Sequence, residues 1–164
     1  MACEESDHPV LLLGPQVRFL TACSTGDSSQ LAESLACHTL EVNTPGQDGL
    51  TGLMLAARGG HTEVVVRLLA RRDCDLNVRD KDGDTALSHA CCAGHSDVVT
   101  VLLSSPLANV NTSDTDLVTP LHKAIANNHI EIVRILLKEP QLEVCFVVVA
   151  KKKVITNFAD KRKK

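Results

Sequence analysis

The stretch LVTPLHKAIANNHIEIVRILL, residues 117–137, decides the reading of this chain because it recurs. Thirty-four residues back, Thr119 falls on Thr85 and then Thr51, Leu121 on Leu87 and Leu53, and Ala124 on Ala90 and Ala56. His129 falls on His95 and His61, and the pair Leu136, Leu137 on Leu102, Leu103 and on Leu68, Leu69. A fixed period of this length marks an array in which each unit buries its apolar face against its neighbours.

Within a unit the pattern predicts two short helices and a turn. Thr51, Thr85 and Thr119 suit N-caps, and Pro120 follows at a position where a missing N–H costs nothing. The first helix should stop at Gly60, Gly94 or Asn128, residue types that tolerate a left-handed conformation. The second helix carries apolar residues such as Val64, Val65, Leu68 and Leu69, a stripe wide enough to touch both its partner and the next unit. Leu102→Ala should cost roughly 2–5 kcal/mol if the leucine is as buried as the stripe implies. Segments ending in Asn43, Asn77 or Asn111 lead into Asp- and Gly-rich stretches such as VRDKDGDT, which predict hairpin-like loops.

The period extends backward with losses. Ala22, Gly26, Leu31, Leu35 and Asn43 keep their columns, but Gln30 and Ser34 replace the apolar Val64 and Leu68 positions. This predicts a leading unit packed on one side and wet on the other. The expected organisation is a flexible leader at 1–16, a repeat domain at 17–144 and an irregular, apolar-then-basic tail at 145–164. The repeat domain divides into a degenerate unit at 17–47 and full units at 48–81, 82–115 and 116–144.

The stretches TGLMLAARGGH (51–61), TALSHACCAGH (85–95) and TPLHKAIANNH (119–129), each followed by a V-V-x-x-L-L-like helix, resemble the ankyrin repeat family. The resemblance covers about residues 48–137 strongly and 17–47 weakly. It implies an all-α solenoid of stacked helix-turn-helix units joined by hairpin-like loops. Two departures stand out. The spacing is 34 rather than the family's usual 33, and RDC, SPL and EPQ replace the usual Gly-Ala before the loop. In the fourth turn Cys145 stands at the Asn column and no further unit follows. This predicts apolar surface on the last repeat unless the tail covers it, and suits a shortened form of a longer array.

Composition narrows the function. The formal charge of −3 divides into about −9 over the first 150 residues, from 10 basic and 19 acidic side chains, and a tail with seven Lys or Arg against one Asp. An acidic body is poorly suited to nucleic acid. With Phe19, Phe146 and Phe158 as its only aromatic residues, the chain lacks base-stacking platforms. Seven cysteines suit a reducing compartment. Acidic Glu4, Glu5 and Asp7 ahead of the apolar run at 10–13 are the wrong charge for a signal peptide. The apolar run at 144–150 is far short of the roughly 20 residues that span a bilayer. A cytoplasmic or nuclear protein without a membrane partner is expected.

No nucleophile elbow and no phosphate cradle is present. Neither enzyme activity, a small-molecule substrate, a cofactor nor a bound metal is expected. His61, His95 and His129, one per unit, lie too far apart to share an ion at roughly 2 Å bonds and are assigned to the inter-helix turns. Cys91 shares its column with Cys23 and Ala57 and is assigned to the core. Arg79, Asp80, Lys81, Asp82 and Asp84 crowd one loop tip, and Ser113, Asp114, Thr115 and Asp116 the next.

The resemblance implies that such tips, with the outer face of the first helix, hold a protein partner. By column that face includes Leu55, Arg58, His89, Cys92, Lys123 and Asn127, with Leu55 an apolar anchor. Acidic tips favour a basic partner segment. Asn43 and Asn77 stand in the context in which ankyrin-type proteins are hydroxylated by an oxygen-sensing asparaginyl hydroxylase, with a plain turn-forming Asn as the alternative. A protein-recognition scaffold or adaptor is the expected function. The alternative is a regulatory form whose basic tail gives nuclear targeting or nucleic-acid contact.

Overall fold

The computed structural model describes residues 14–143 apart from 38, 39 and 47. The leader at 1–13 and the tail at 144–164 lie outside the described residues. Eight helices and no strand are found among those described: α1 (Pro15–Thr25), α2 (Ser28–Leu35), α3 (Gly52–Gly59), α4 (Thr62–Leu69), α5 (Ala86–Ala93), α6 (Ser96–Leu103), α7 (Pro120–Ala126) and α8 (Ile130–Leu136). Helix α1 begins at Pro15, so two residues assigned to the leader belong to the first helix. The odd-numbered helices pack side by side in one row and the even-numbered helices in a second row behind it.

Capping sets the helix starts. The hydroxyls of Thr51, Thr85 and Thr119 accept the backbone N–H of Met54, Ser88 and His122 at 3.3, 3.3 and 3.5 Å. The second helices start differently. His61, His95 and His129 occupy their N-caps without capping them. Each ring reaches back one unit instead, donating from Nε2 to the carbonyls of Ser24, Arg58 and Cys92 at 2.9, 3.1 and 3.1 Å. In the leading unit, which has no described unit before it, Asp27 holds that column and caps α2 through the N–H groups of Ser29 and Gln30, both at 2.9 Å. The assignment of the histidines to the turns is thereby given a cause: they are rungs between units.

The same rungs explain the glycines. Gly60 and Gly94 cap α3 and α5 at φ 75° and 90°. A Cβ on either would lie 2.6 Å from the ring of His95 or His129. The third unit uses Asn128 at φ 61°, the side chain most tolerant of this conformation after glycine.

The core lies between and within the rows. Val64, Val65 and Leu68, Val98, Val99 and Leu102, and Ile132 and Leu136 are almost wholly buried. Cys91, Cys23 and Ala57 are fully buried in one column, as their register predicts. Burial pushes both thiols up to about 12, in keeping with packed, unreactive sulfur. The leading unit is drier than expected. Gln30 is exposed, but Ser34 is buried, and its hydroxyl donates to the Gln30 carbonyl at 2.8 Å. Back-bonding to its own helix lets a serine enter an apolar column.

Candidate protein-recognition surface

The hairpin tips repeat as closely as the helices. Residues 46–49, 80–83 and 114–117 each close a turn by an N–H donated from the fourth residue to the first carbonyl, at 3.0–3.1 Å. The first residue of each then donates its own N–H to the carbonyl four residues on, at Leu50, Asp84 and Val118. The last turn position requires a left-handed backbone: Gly49 at φ 79°, Gly83 at 86° and Leu117 at 62°. Leu117 departs from its column. It accepts αL strain that glycine avoids, and it is 68% exposed. Sequence reasoning did not single it out, although alignment with Gly49 and Gly83 holds the sign.

Charged residues at the tips divide into two groups. Asp80 Oδ1 accepts the N–H groups of Asp82 and Asp84, and its Oδ2 accepts Nε2 of His89 at 2.8 Å. Asp114 likewise accepts Asp116 and Val118 through Oδ1. Its Oδ2 lies 2.8 Å from Nζ of Lys123, which also reaches Asp84 Oδ2 at 2.7 Å. Burial pulls the Lys123 ammonium down, but hydrogen bonds and charge from Asp114 and Asp84 outweigh it and hold its pKa above the ordinary value. Burial lifts the Asp114 carboxyl, but Lys123 and the two backbone N–H groups hold it below the usual aspartate range. Arg79 donates to the carbonyls of Gly83 and Ser113, stitching the second tip to the third.

His89, Lys123, Asp84 and Arg79 are thus engaged within the fold and shape the tips. Arg58, Lys81, Asp82, Asp116 and Asn127 are exposed, with Cys92 beside them. Asp48, Asp82 and Asp116 hold the same turn position in successive tips, and all three are exposed. Leu55 is half-buried. Its open side lines a groove of about 290 Å³ with Val17, Leu20, Leu50 and Arg58 between α1 and α3. Such a shallow depression admits a side chain of a docked segment more readily than it encloses a small molecule.

The asparagines join successive loops. Asn43 Nδ2 donates to the Asp73 carbonyl, and its Oδ1 accepts the N–H of Asp75 at 2.9 Å. Asn77 makes the same two bonds to Leu107 and Asn109, and Asn111 to Gln141 and Glu143. Any enzyme modifying Asn43 or Asn77 meets an amide engaged at both ends. Among the described residues no group of three His, Cys, Asp or Glu could hold a metal ion, and no helix is long and apolar enough to cross a membrane. The basic tail lies outside the described residues.

Against this geometry, the family model described as ankyrin repeats in three copies matches residues 19–116 and again 74–146. The chain belongs to the ankyrin repeat family. Ankyrin repeats are generally protein–protein interaction modules, and this array presents the tips and first-helix row described above. Comparison of this ankyrin repeat chain with curated proteins finds no match.

Proposed function

We propose that this chain is a non-catalytic recognition module, a scaffold or adaptor, that grips an extended basic segment of a protein partner along its hairpin tips. The observation that carries the reading is Leu117, an apolar side chain thrust into solvent from a strained backbone position where both sister tips have glycine. Strain and exposure together are retained where a side chain has something to meet. Beside it runs the series Asp48, Asp82 and Asp116, one carboxylate per unit. Neighbouring helices in a row lie about 8–10 Å apart, close to three residues of extended chain at about 3.3 Å each. A segment with Lys or Arg at every third residue and an apolar side chain beyond them matches that spacing.

The test is a lysate pull-down with four baits: the full chain, Asp82→Lys with Asp116→Lys, Leu117→Gly, and a chain with Lys151, Lys152 and Lys153 changed to Gln. These tip positions are exposed, so the substitutions leave the buried Lys123 network intact. Proteins held by the full chain and the tail variant, but reduced tenfold or more by both tip variants, support the reading. Proteins lost only with the tail variant would overturn it and move the function to the basic tail.

A further inference from the structure

The repeating columns let one unit serve as the control for another. Leu53 and Leu87 are buried, whereas Leu121, the same column in α7, is partly open. Thr51 and Thr85, Met54 and Ser88, and Ala57 and Cys91 are all buried, whereas Thr119, His122 and Ile125 are not. In the second helices Leu69 and Leu103 are half-covered, but Leu137 is 57% exposed. All these positions lie on the side that receives the next unit in the interior of the stack. The α7–α8 end therefore has the make-up of an internal face. It is also more apolar than its sisters: Ile125 replaces Ala57 and Cys91, and Ile130, 44% exposed, replaces Thr62 and Ser96.

The chain itself is delivered to that face in register. Asn111 fixes Gln141 and Glu143 with bonds of 2.7 and 2.9 Å, as Asn43 and Asn77 fix the preceding loops. In those loops the next residue is Leu76, packed against the core, or Val110, buried. Here the next residue is Val144, opening the apolar run VCFVVVA at 144–150, and Lys151, Lys152 and Lys153 come directly after it. Seven extended residues cover about 23 Å, close to the width of two packed helices at about 10 Å each. Glu131, at the start of α8, is an exposed carboxylate at this end, complementary to the lysines.

We propose that residues 144–150 close the stack, lying as a strap across Leu121, Ile125 and Leu137, with the lysines that follow meeting Glu131. The array thus supplies from its own non-repeat tail the neighbour its last unit lacks, and this face is not available to a further repeat or a second copy. The inference stands apart from the proposed partner at the tips.

Amide hydrogen exchange on the full chain tests it, comparing wild type with Phe146→Asp plus Val148→Asp and, from the receiving side, with Leu137→Asp. The double variant should speed exchange in α7 and α8 tenfold or more while α3 and α4 are unchanged. Leu137→Asp, at an already exposed position, should speed exchange at 144–150. Sedimentation should give a monomer throughout. Unchanged exchange in both variants overturns the proposal, as does a wild-type dimer that persists in the double variant, which would place a second copy on this face.

Discussion

Leu117 and Lys123 show how residues of one motif acquire opposite roles. Replacing Leu117 by glycine removes αL strain of about 1 kcal/mol, so Leu117→Gly should leave the urea unfolding midpoint unchanged or raise it slightly. Gly83→Leu should lower stability by about 1–2 kcal/mol, since a Cβ there meets the backbone of Asp114 and Thr115 at 3.2 Å. Lys123→Ala strands two largely buried carboxylates and should cost about 2–3 kcal/mol in urea unfolding, because Asp84 already has one buried oxygen without a hydrogen-bond partner. The same network fixes a pH response. The folded Asp114 pKa lies below its unfolded value, so its stabilisation is complete above about pH 4–5 and is lost as pH falls further. The folded Lys123 pKa lies above its unfolded value, so that contribution holds below about pH 10 and fades as pH rises past it. Asp114→Asn should flatten the acid side of the stability curve. The sequence places Lys123 on an outward face by column and goes no further. Its two partners sit 39 and 9 residues away on different tips, and only stacking brings them to one ammonium.

At the scale of helices and loops, nearly everything that repeats was legible. Threonine caps, left-handed stops and the apolar stripe follow from local backbone chemistry, which each unit carries whole. Leu102 is 1% exposed in the middle of the second row, so Leu102→Ala should cost about 3–4 kcal/mol in urea unfolding. Asn77→Ala removes both bonds between successive loops and should cost about 1–3 kcal/mol by the same measurement. What the columns concealed is direction. The histidines read as residues of the inter-helix turns, yet each ring serves the preceding unit, and that is visible only once two units lie against each other. Ser34 hides its burial for a related reason: polarity in a column does not reveal a hydroxyl turned back onto its own helix.

Across the whole molecule, the stack places its weight in the middle units. The leading unit presents Gln30 and short polar side chains on α2, and the last unit leaves Leu137 and Ile130 open among the described residues. Native-state amide exchange should therefore be slowest in α3 to α6 and fastest in α2 among the eight helices. The period foretold such an array. Its ends were legible as changes of residue in the repeating columns, Gln30 and Ser34 at one and Ile125 and Ile130 at the other, but a period carries no information on what lies against them.

The rungs between units have a further consequence. Each histidine bond spans 37 residues, and each asparagine reaches residues 30 and 32 positions on, with the same partners at every joint. Duplicating or excising a whole unit would leave every joint matched, whereas losing one residue would unmatch all the rungs of that joint together. A whole unit of 34 residues is therefore the step by which such a stack can grow or shrink with every rung kept.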